Sequence, residues 1–147
     1  MNTDLPGPVD LVDNLECLGK LGAGRERIRQ AFLDVPRHMF APDTWWEQQY
    51  DRTYLPMSRA ETGETAWRRE LYDDNAVMVT QVDNGRRAVP GAVGRASSSS
   101  LSAPGIVADM LHLAAIGPGD RVLELGAGQG YSAALAAHLA EPRGHVT

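Results

Sequence analysis

The stretch Val122-Leu-Glu-Leu-Gly-Ala-Gly-Gln-Gly130 decides the fold, because an apolar run passes there directly into a glycine-rich loop. The residues that follow are rich in alanine and predict a helix, and a Pro-Arg-Gly turn comes after them. The predicted order is a short strand over 121–125, the loop over 126–130, a helix over 131–140, a turn over 142–144 and a second strand from 145. Strand, loop, helix and strand in this order are typical of the opening of a doubly wound α/β sheet.

The glycine loop also predicts a ligand. A chain that passes from a strand into a helix leaves backbone N–H groups unpaired at the helix start, and glycine lets a ligand approach them closely. Dinucleotides need Gly-x-Gly-x-x-Gly, but here the third glycine, Gly130, comes one residue too early. Glu124 would repel a pyrophosphate, whereas it suits a cationic aminoacyl group and a sulfonium. The pattern therefore favours S-adenosylmethionine. A dinucleotide-dependent oxidoreductase and a tight turn without a ligand stay open as alternatives.

Just before this unit lie a run of four serines and a third apolar pattern. Composition alone predicts a flexible linker over Ser97 to Ser100. Ser102 is placed to cap a helix, and Pro104 falls in the first turn, where its missing N–H costs little. Apolar residues then recur at helical spacing as far as Ala115, which predicts a helix that leads into the glycine-rich unit.

The N-terminal part is predicted to be mostly helical, with irregular segments between the helices. Two amphipathic helices are predicted over 10–18 and 25–33, and the second must end near Val35 because Pro36 disfavours the α conformation before it. The aromatic-rich segment from Pro42 to Glu64 has no clear period and is predicted to be irregular. The remaining predictions are one or two helical turns over 67–72, a strand over 77–82 and a tight turn at 83–85.

Composition and charge exclude several classes of protein. The net charge of −5 argues against nucleic-acid binding through phosphate neutralisation. Cys17 is the single cysteine, so a disulfide framework is excluded, and its apolar neighbours predict that it is buried. The four histidines lack ligand spacing, which predicts no metal site. No signal peptide and no long apolar run is found, so we expect a cytoplasmic protein that does not bind membranes.

Three separated segments resemble the protein-L-isoaspartate O-methyltransferase family. Residues 31–42, Ala-Phe-Leu-Asp-Val-Pro-Arg-His-Met-Phe-Ala-Pro, are similar to the N-terminal segment of that family. Ser100-Leu-Ser-Ala-Pro104 resembles its Thr-Ile-Ser-x-Pro stretch, and residues 118–135 resemble its first methyltransferase motif. The resemblance implies a Rossmann-like, S-adenosylmethionine-dependent enzyme that methylates a side-chain carboxylate of a protein or peptide.

The sequence departs from that family at several places. The stretch from Pro42 to Glu70 is long, serines replace the usual Gly-x-Thr, and Gly105 stands where His or Tyr is more common. These features resemble the branch that accompanies ribosomal-peptide maturation systems and methylates a precursor peptide. Repair of isoaspartate in damaged proteins and modification of a designated peptide both stay open.

The resemblance also implies which residues form the site. Ser102 corresponds to the family's active-site serine and would orient the substrate carboxylate. The residues expected to hold the cofactor are Ser99, Glu124, Gly126, Ala127, Gly128 and Gly130. A carboxylate is already ionised at neutral pH, so methyl transfer to it needs no general base.

The order of these segments predicts three regions: a disordered tail over 1–9, a helical or irregular substrate-side region over 10–100, and the start of the methyltransferase domain over 101–147. Further strands and a ribose-binding acid are expected after Thr147. We therefore expect a truncated domain that binds S-adenosylmethionine weakly or not at all by itself. The alternative function is a non-catalytic peptide-binding module or an inactive fragment of such an enzyme.

Overall fold

The computed structural model of the chain describes residues 5–86 and 88–147. Its helices are α1 (Pro8–Cys17), α2 (Glu26–Asp34), α3 (Arg59–Thr62), α4 (Glu64–Leu71), α5 (Pro104–Ala114) and α6 (Tyr131–Ala140), with a 3-10 turn over Arg37–Met39. Both amphipathic helices predicted near the N-terminus are confirmed. The prediction of a disordered tail over 1–9 is wrong at its C-terminal end, since Pro8 and Val9 begin α1. The first four residues of that predicted tail lie outside the described part of the chain.

A four-stranded antiparallel sheet forms most of the region between α2 and α5. Its strands are β1 (Thr44–Gln48), β2 (Tyr54–Ser58), β3 (Met78–Val82) and β4 (Ser97–Leu101), in the spatial order β2-β1-β3-β4. The strand and tight turn predicted over 77–85 are confirmed, because Asp83 and Asn84 both take left-handed backbone angles after β3. The helical or irregular region predicted over 10–100 therefore contains a sheet as well.

Two predictions in this region are wrong, for different reasons. The segment from Pro42 to Glu64 forms the β1–β2 hairpin, which periodicity missed because Trp45 and Trp46 are both buried, in separate clusters on the two faces of the sheet. The serine run is strand β4 and not a linker, because its backbone pairs with β3 and the Ser98 hydroxyl donates to the Gln81 side chain. Tertiary pairing overrides the composition there.

The C-terminal unit has the parallel βαβ arrangement that the glycine stretch predicts. Strand β5 (Arg121–Val122) pairs in parallel with β6 (His145–Val146), and α6 connects them. The strand predicted over 121–125 is shorter than expected, although the Glu124 N–H still donates to the Thr147 carbonyl. Leu123 and Leu125, in the apolar run of this stretch, are 69% and 87% exposed.

One hydrophobic core joins the N-terminal and C-terminal regions. Its fully buried side chains come from α1, α2, α4, α5, α6 and one face of the sheet, and include Leu15, Phe32, Trp45, Trp67 and Leu135. Residues on both sides of the boundary expected near residue 101 therefore pack together. Cys17 lies outside this core and is exposed, because it ends α1 on the side that faces solvent.

Apolar side chains on α5 stay uncovered on the side away from the core. Ile106, Met110 and Leu113 are 56%, 59% and 82% exposed, and they recur at the spacing of one helix face. The part of the chain that the structure describes contains no helix long and apolar enough to cross a membrane.

The carboxylate of Asp109 fastens α5 to the loop between α1 and α2. It accepts hydrogen bonds from the Lys20 ammonium and, at 2.9 Å, from Arg25 Nη1. These two hydrogen bonds hold the pKa of the Asp109 carboxyl below its ordinary value. The pairing joins α5, which begins just after Ser102, to the helical layer.

Replacing Asp109 by asparagine is therefore expected to lower the free energy of unfolding by up to about 1 kcal/mol at neutral pH, since the pair is partly exposed. The folded-state pKa lies below the unfolded value of about 3.9, so this stability is present above that value and is lost as the pH falls through the folded pKa. Urea unfolding of both proteins from neutral to acidic pH measures the difference between their free energies of unfolding. If that difference grew towards low pH, it would contradict the role assigned to Asp109.

Candidate functional site

The loop from Gly126 to Gly130 is shaped by three glycines with positive φ. The φ angles of Gly126, Gly128 and Gly130 are 80°, 57° and 83°, values that other residues adopt only with strain. Gly130 is the N-cap of α6 and offers no side chain to its first turn. The N–H groups of that turn are therefore available to an anionic or polar ligand.

A cleft of about 180 Å³ lies between this loop and the start of α5. Four of the predicted site residues line it together: Ser102, Glu124, Gly126 and Ala127. Ser100, Gln129, Tyr131 and Ser132 complete its polar lining. The structure thus brings the end of β4 and the glycine loop to one site, although Ser102 and Glu124 are distant in sequence.

Ser99 and Gly128 contact each other beside this cleft rather than inside it. A Cβ atom at position 128 would lie 3.2 Å from Ser99 Oγ and 3.7 Å from the Ser100 carbonyl oxygen. A side chain at position 128 would therefore be tight against the Ser99 hydroxyl, in addition to the strain of its positive φ. Gly130, the last predicted site residue, lies at the start of α6 and does not line the cleft.

Glu124 brings a carboxylate with one free oxygen to the cleft. Its Oε1 accepts a hydrogen bond from the Ser132 hydroxyl, and its Oε2 is buried with no hydrogen-bond partner among the described residues. A buried carboxylate oxygen without a partner is costly, so the site is suited to a cationic or hydrogen-bond-donating ligand. Sequence reasoning missed Ser132, and its position in the first turn of α6 after the glycine loop was the available signal.

Ser102 is exposed at the mouth of the cleft. The helix cap predicted for it is wrong, because α5 starts one residue later, with Ala103 as N-cap and no side-chain hydrogen bond to the cap. The Ser102 hydroxyl makes no hydrogen bond within the described residues. It is therefore free to bind a substrate group.

A buried arginine supports the cleft from behind. Arg37 is 1% exposed and its Nη2 donates to the Leu101 carbonyl at 3.3 Å, directly before Ser102. Its guanidinium carbon lies 5.2 Å from the centre of the Tyr131 ring, an arrangement typical of a cation–π contact. Burial lowers the pKa of Arg37 to about 10, so it remains charged at neutral pH. The Val-Pro-Arg segment gave no signal for this role, because the contact with Leu101 spans distant parts of the chain.

Tyr131 lies between Arg37 and the cleft, and its hydroxyl is buried with no hydrogen-bond partner in the described residues. Burial also raises the pKa of this hydroxyl.

Replacing Tyr131 by phenylalanine should leave the free energy of unfolding unchanged or raise it by up to about 1 kcal/mol, because it removes an unsatisfied polar atom and keeps the ring. Urea unfolding tests this. A clear loss of stability would mean that the hydroxyl has a partner in solution.

The comparisons with known proteins agree with this geometry. The sequence model of the family "Protein-L-isoaspartate(D-aspartate) O-methyltransferase (PCMT)" matches residues 59–147. A protein named protein-L-isoaspartate O-methyltransferase from Methanopyrus kandleri is 32% identical over 92% of this chain. One of the same name from Ignicoccus hospitalis is 29% identical over 93% of it.

The chain spans 42% and 46% of the length of these two relatives, less than half of each. A solved structure titled protein-L-isoaspartate O-methyltransferase is 24% identical, with a TM-score of 0.56 over 95% of this chain and 32% of that structure. The likeness shows that the chain has the fold of part of a Rossmann-like methyltransferase.

Proposed function

The chain belongs to the protein-L-isoaspartate O-methyltransferase family, and from this premise we propose that it carries the site of an S-adenosylmethionine-dependent O-methyltransferase. The acceptor is a side-chain carboxylate of a protein or peptide, either isoaspartate or aspartate. The observation that carries the proposal is the single cleft shared by Ser102, Glu124 and the glycine loop. Family membership also favours methyl transfer over the dinucleotide alternative.

The residues at the cleft fit this cofactor. Glu124 Oε2 is a buried acceptor without a partner, which suits the cationic amino group of the methionine part. The close approach of Gly128 to Ser99 leaves a cradle that any side chain would fill. We assign cofactor binding to Ser99, Glu124, Gly126, Ala127, Gly128 and Gly130, with the N–H groups of the first turn of α6 facing the carboxylate of the methionine part.

The acceptor needs orientation rather than activation. When bound, S-adenosylmethionine supplies an activated methyl group. The acceptor carboxylate is ionised at neutral pH, so Ser102 acts by donating a hydrogen bond that orients it rather than as a base. Val107 and Met110 line the apolar side of the cleft, where they help to align the reacting groups. The proposed partner is therefore a protein or peptide that presents such a carboxylate.

Transfer of a tritiated methyl group from S-adenosylmethionine to synthetic peptides tests the proposal. Two peptides that differ only in isoaspartate or aspartate at one position distinguish repair from modification of a designated peptide. The chain and any longer product of its reading frame are assayed in parallel. Base-labile methyl ester on either peptide is the expected result, and Ser102→Ala should lower kcat without weakening cofactor binding. Peptide binding without transfer would favour the non-catalytic module.

A further inference from the structure

Beside the cleft, a trough crosses the four-stranded sheet and leads away from the glycine loop. Its first hollow, about 580 Å³, is bordered by Ser99, Gly128 and Gln129 at the loop end. A second hollow of about 400 Å³ shares Thr44 and Ala88 with the first and continues to Leu55 and Met57 on β2. Each hollow has the volume of a typical ligand pocket. Gln129 borders both the trough and the cleft, so the two adjoin.

An irregularity in the sheet leaves a polar group without a partner beside this trough. Val79 is opposite Ser100 and Gln81 is opposite Ser99, so Thr80 has no partner residue in β4. Its hydroxyl is buried and has no hydrogen-bond partner among the described residues. Bulges of this kind redirect side chains and are frequent beside active sites. Here the bulge places a free hydroxyl next to Ser99.

The charge and polarity of the trough change along its length. Among the described residues that line the first hollow there is one guanidinium, Arg86, and no carboxylate. Arg86 is half exposed, with the Asp83 carboxylate 3.6 Å away. The second hollow is mainly apolar, with Glu61 as its charged residue. The first hollow is therefore polar, with its one described guanidinium paired to Asp83, and the second hollow favours apolar side chains.

We propose that this trough binds an extended segment of the acceptor polypeptide, with the acceptor carboxylate at the glycine-loop end. This inference rests on the proposed function for the identity of the occupant. The trough adjoins the cleft at Gln129, contains a hydrogen-bonding residue at Thr80, and becomes apolar farther from the glycine loop. Thr44 and β2 precede residue 59, where the family match begins.

Two matched substitutions test the proposal. Val89 borders the first hollow and Val77 lies outside both, and each is 50% exposed. Val89→Arg is expected to weaken binding of a fluorescein-labelled peptide with a central isoaspartate by about tenfold, measured by anisotropy. Val77→Arg should bind like the unchanged chain. Both variants should unfold at the same urea concentration as that chain.

A second variant and a length series strengthen the test. Leu55→Glu changes the second hollow, so it should weaken the binding of a long peptide that reaches β2. The binding of a short peptide that ends before β2 should be unaffected. Equal binding of the long peptide to the chain and to both trough variants would overturn the proposal, as would a lack of peptide binding by the unchanged chain. The affinity for S-adenosylhomocysteine of the chain and of any longer product of its reading frame, measured separately, tests the proposed function. Trough-dependent peptide binding without cofactor affinity in any of these products would support a peptide-binding surface and contradict the methyltransferase.

Discussion

Replacing Gly128 by valine is expected to lower the affinity for S-adenosylmethionine by on the order of 100-fold. Two effects add at this position. A β-branched residue at a φ of 57° is strained by about 1–3 kcal/mol, and its Cβ would lie 3.2 Å from Ser99 Oγ. The loop relieves both by moving away from β4, which displaces the N–H groups that should face the cofactor. Isothermal titration of S-adenosylhomocysteine into the chain and into any longer product of its reading frame, each with and without the substitution, measures the effect.

Gly119 offers a control for the backbone strain. Its φ is 88°, it has open space around its Cβ position, and it lies in the turn before β5, outside the cleft. Gly119→Val should therefore cost stability but leave the cofactor affinity of the folded protein unchanged. If both variants lost affinity equally, general strain would explain the loss, and the close contact between Gly128 and β4 would have no special role.

Replacing Trp45 by alanine is expected to lower the free energy of unfolding by about 3–5 kcal/mol. Its side chain is 1% exposed and belongs to the core that also contains Phe32 and Leu135. The loss is a large part of the about 5–15 kcal/mol that stabilises a typical domain. Chemical denaturation followed by circular dichroism gives the value directly.

Glu47 lies on the same strand and is exposed, so Glu47→Ala serves as the control and should change stability by less than about 0.5 kcal/mol. Similar losses in the two variants would mean that the hairpin is stabilised by its own pairing. A loss confined to Trp45→Ala would show that the β1–β2 hairpin is part of the core, although it lies before the family match.

The sequence predicted the C-terminal unit better than the centre of the chain, and the reason is physical. From Gly117 onwards the signals are local: glycines with positive φ, an apolar run, and a helix that begins after Gly130. The bounds of α6 were predicted correctly. The β1–β2 hairpin depends on pairing between distant residues, and two adjacent buried tryptophans hide the alternation that would mark a strand. The strand formed by the serine run was equally hard to predict, since its structure depends on pairing with β3.

The site was predictable to the same extent. Glycine spacing and Glu124 identified the loop, and the resemblance added Ser102 and Ser99, which the structure places in or beside the same cleft. Their binding and catalytic roles stay predictions. Arg37 was not singled out, because a buried arginine without an acidic partner leaves no trace in spacing or composition. Tyr131 and Ser132 were also missed, although both follow the glycine loop directly.

The uncovered apolar side chains of α5 and the glycine stretch have a practical consequence for work on this chain. Together these side chains expose far more apolar surface than scattered single residues do: Ile106, Met110, Leu113, Leu123 and Leu125. At the concentrations used for calorimetry, molecules of the chain would adhere to one another through this surface. Titrations should therefore be repeated at several dilutions, with light scattering to follow particle size, so that colloidal association is not mistaken for a change in cofactor affinity.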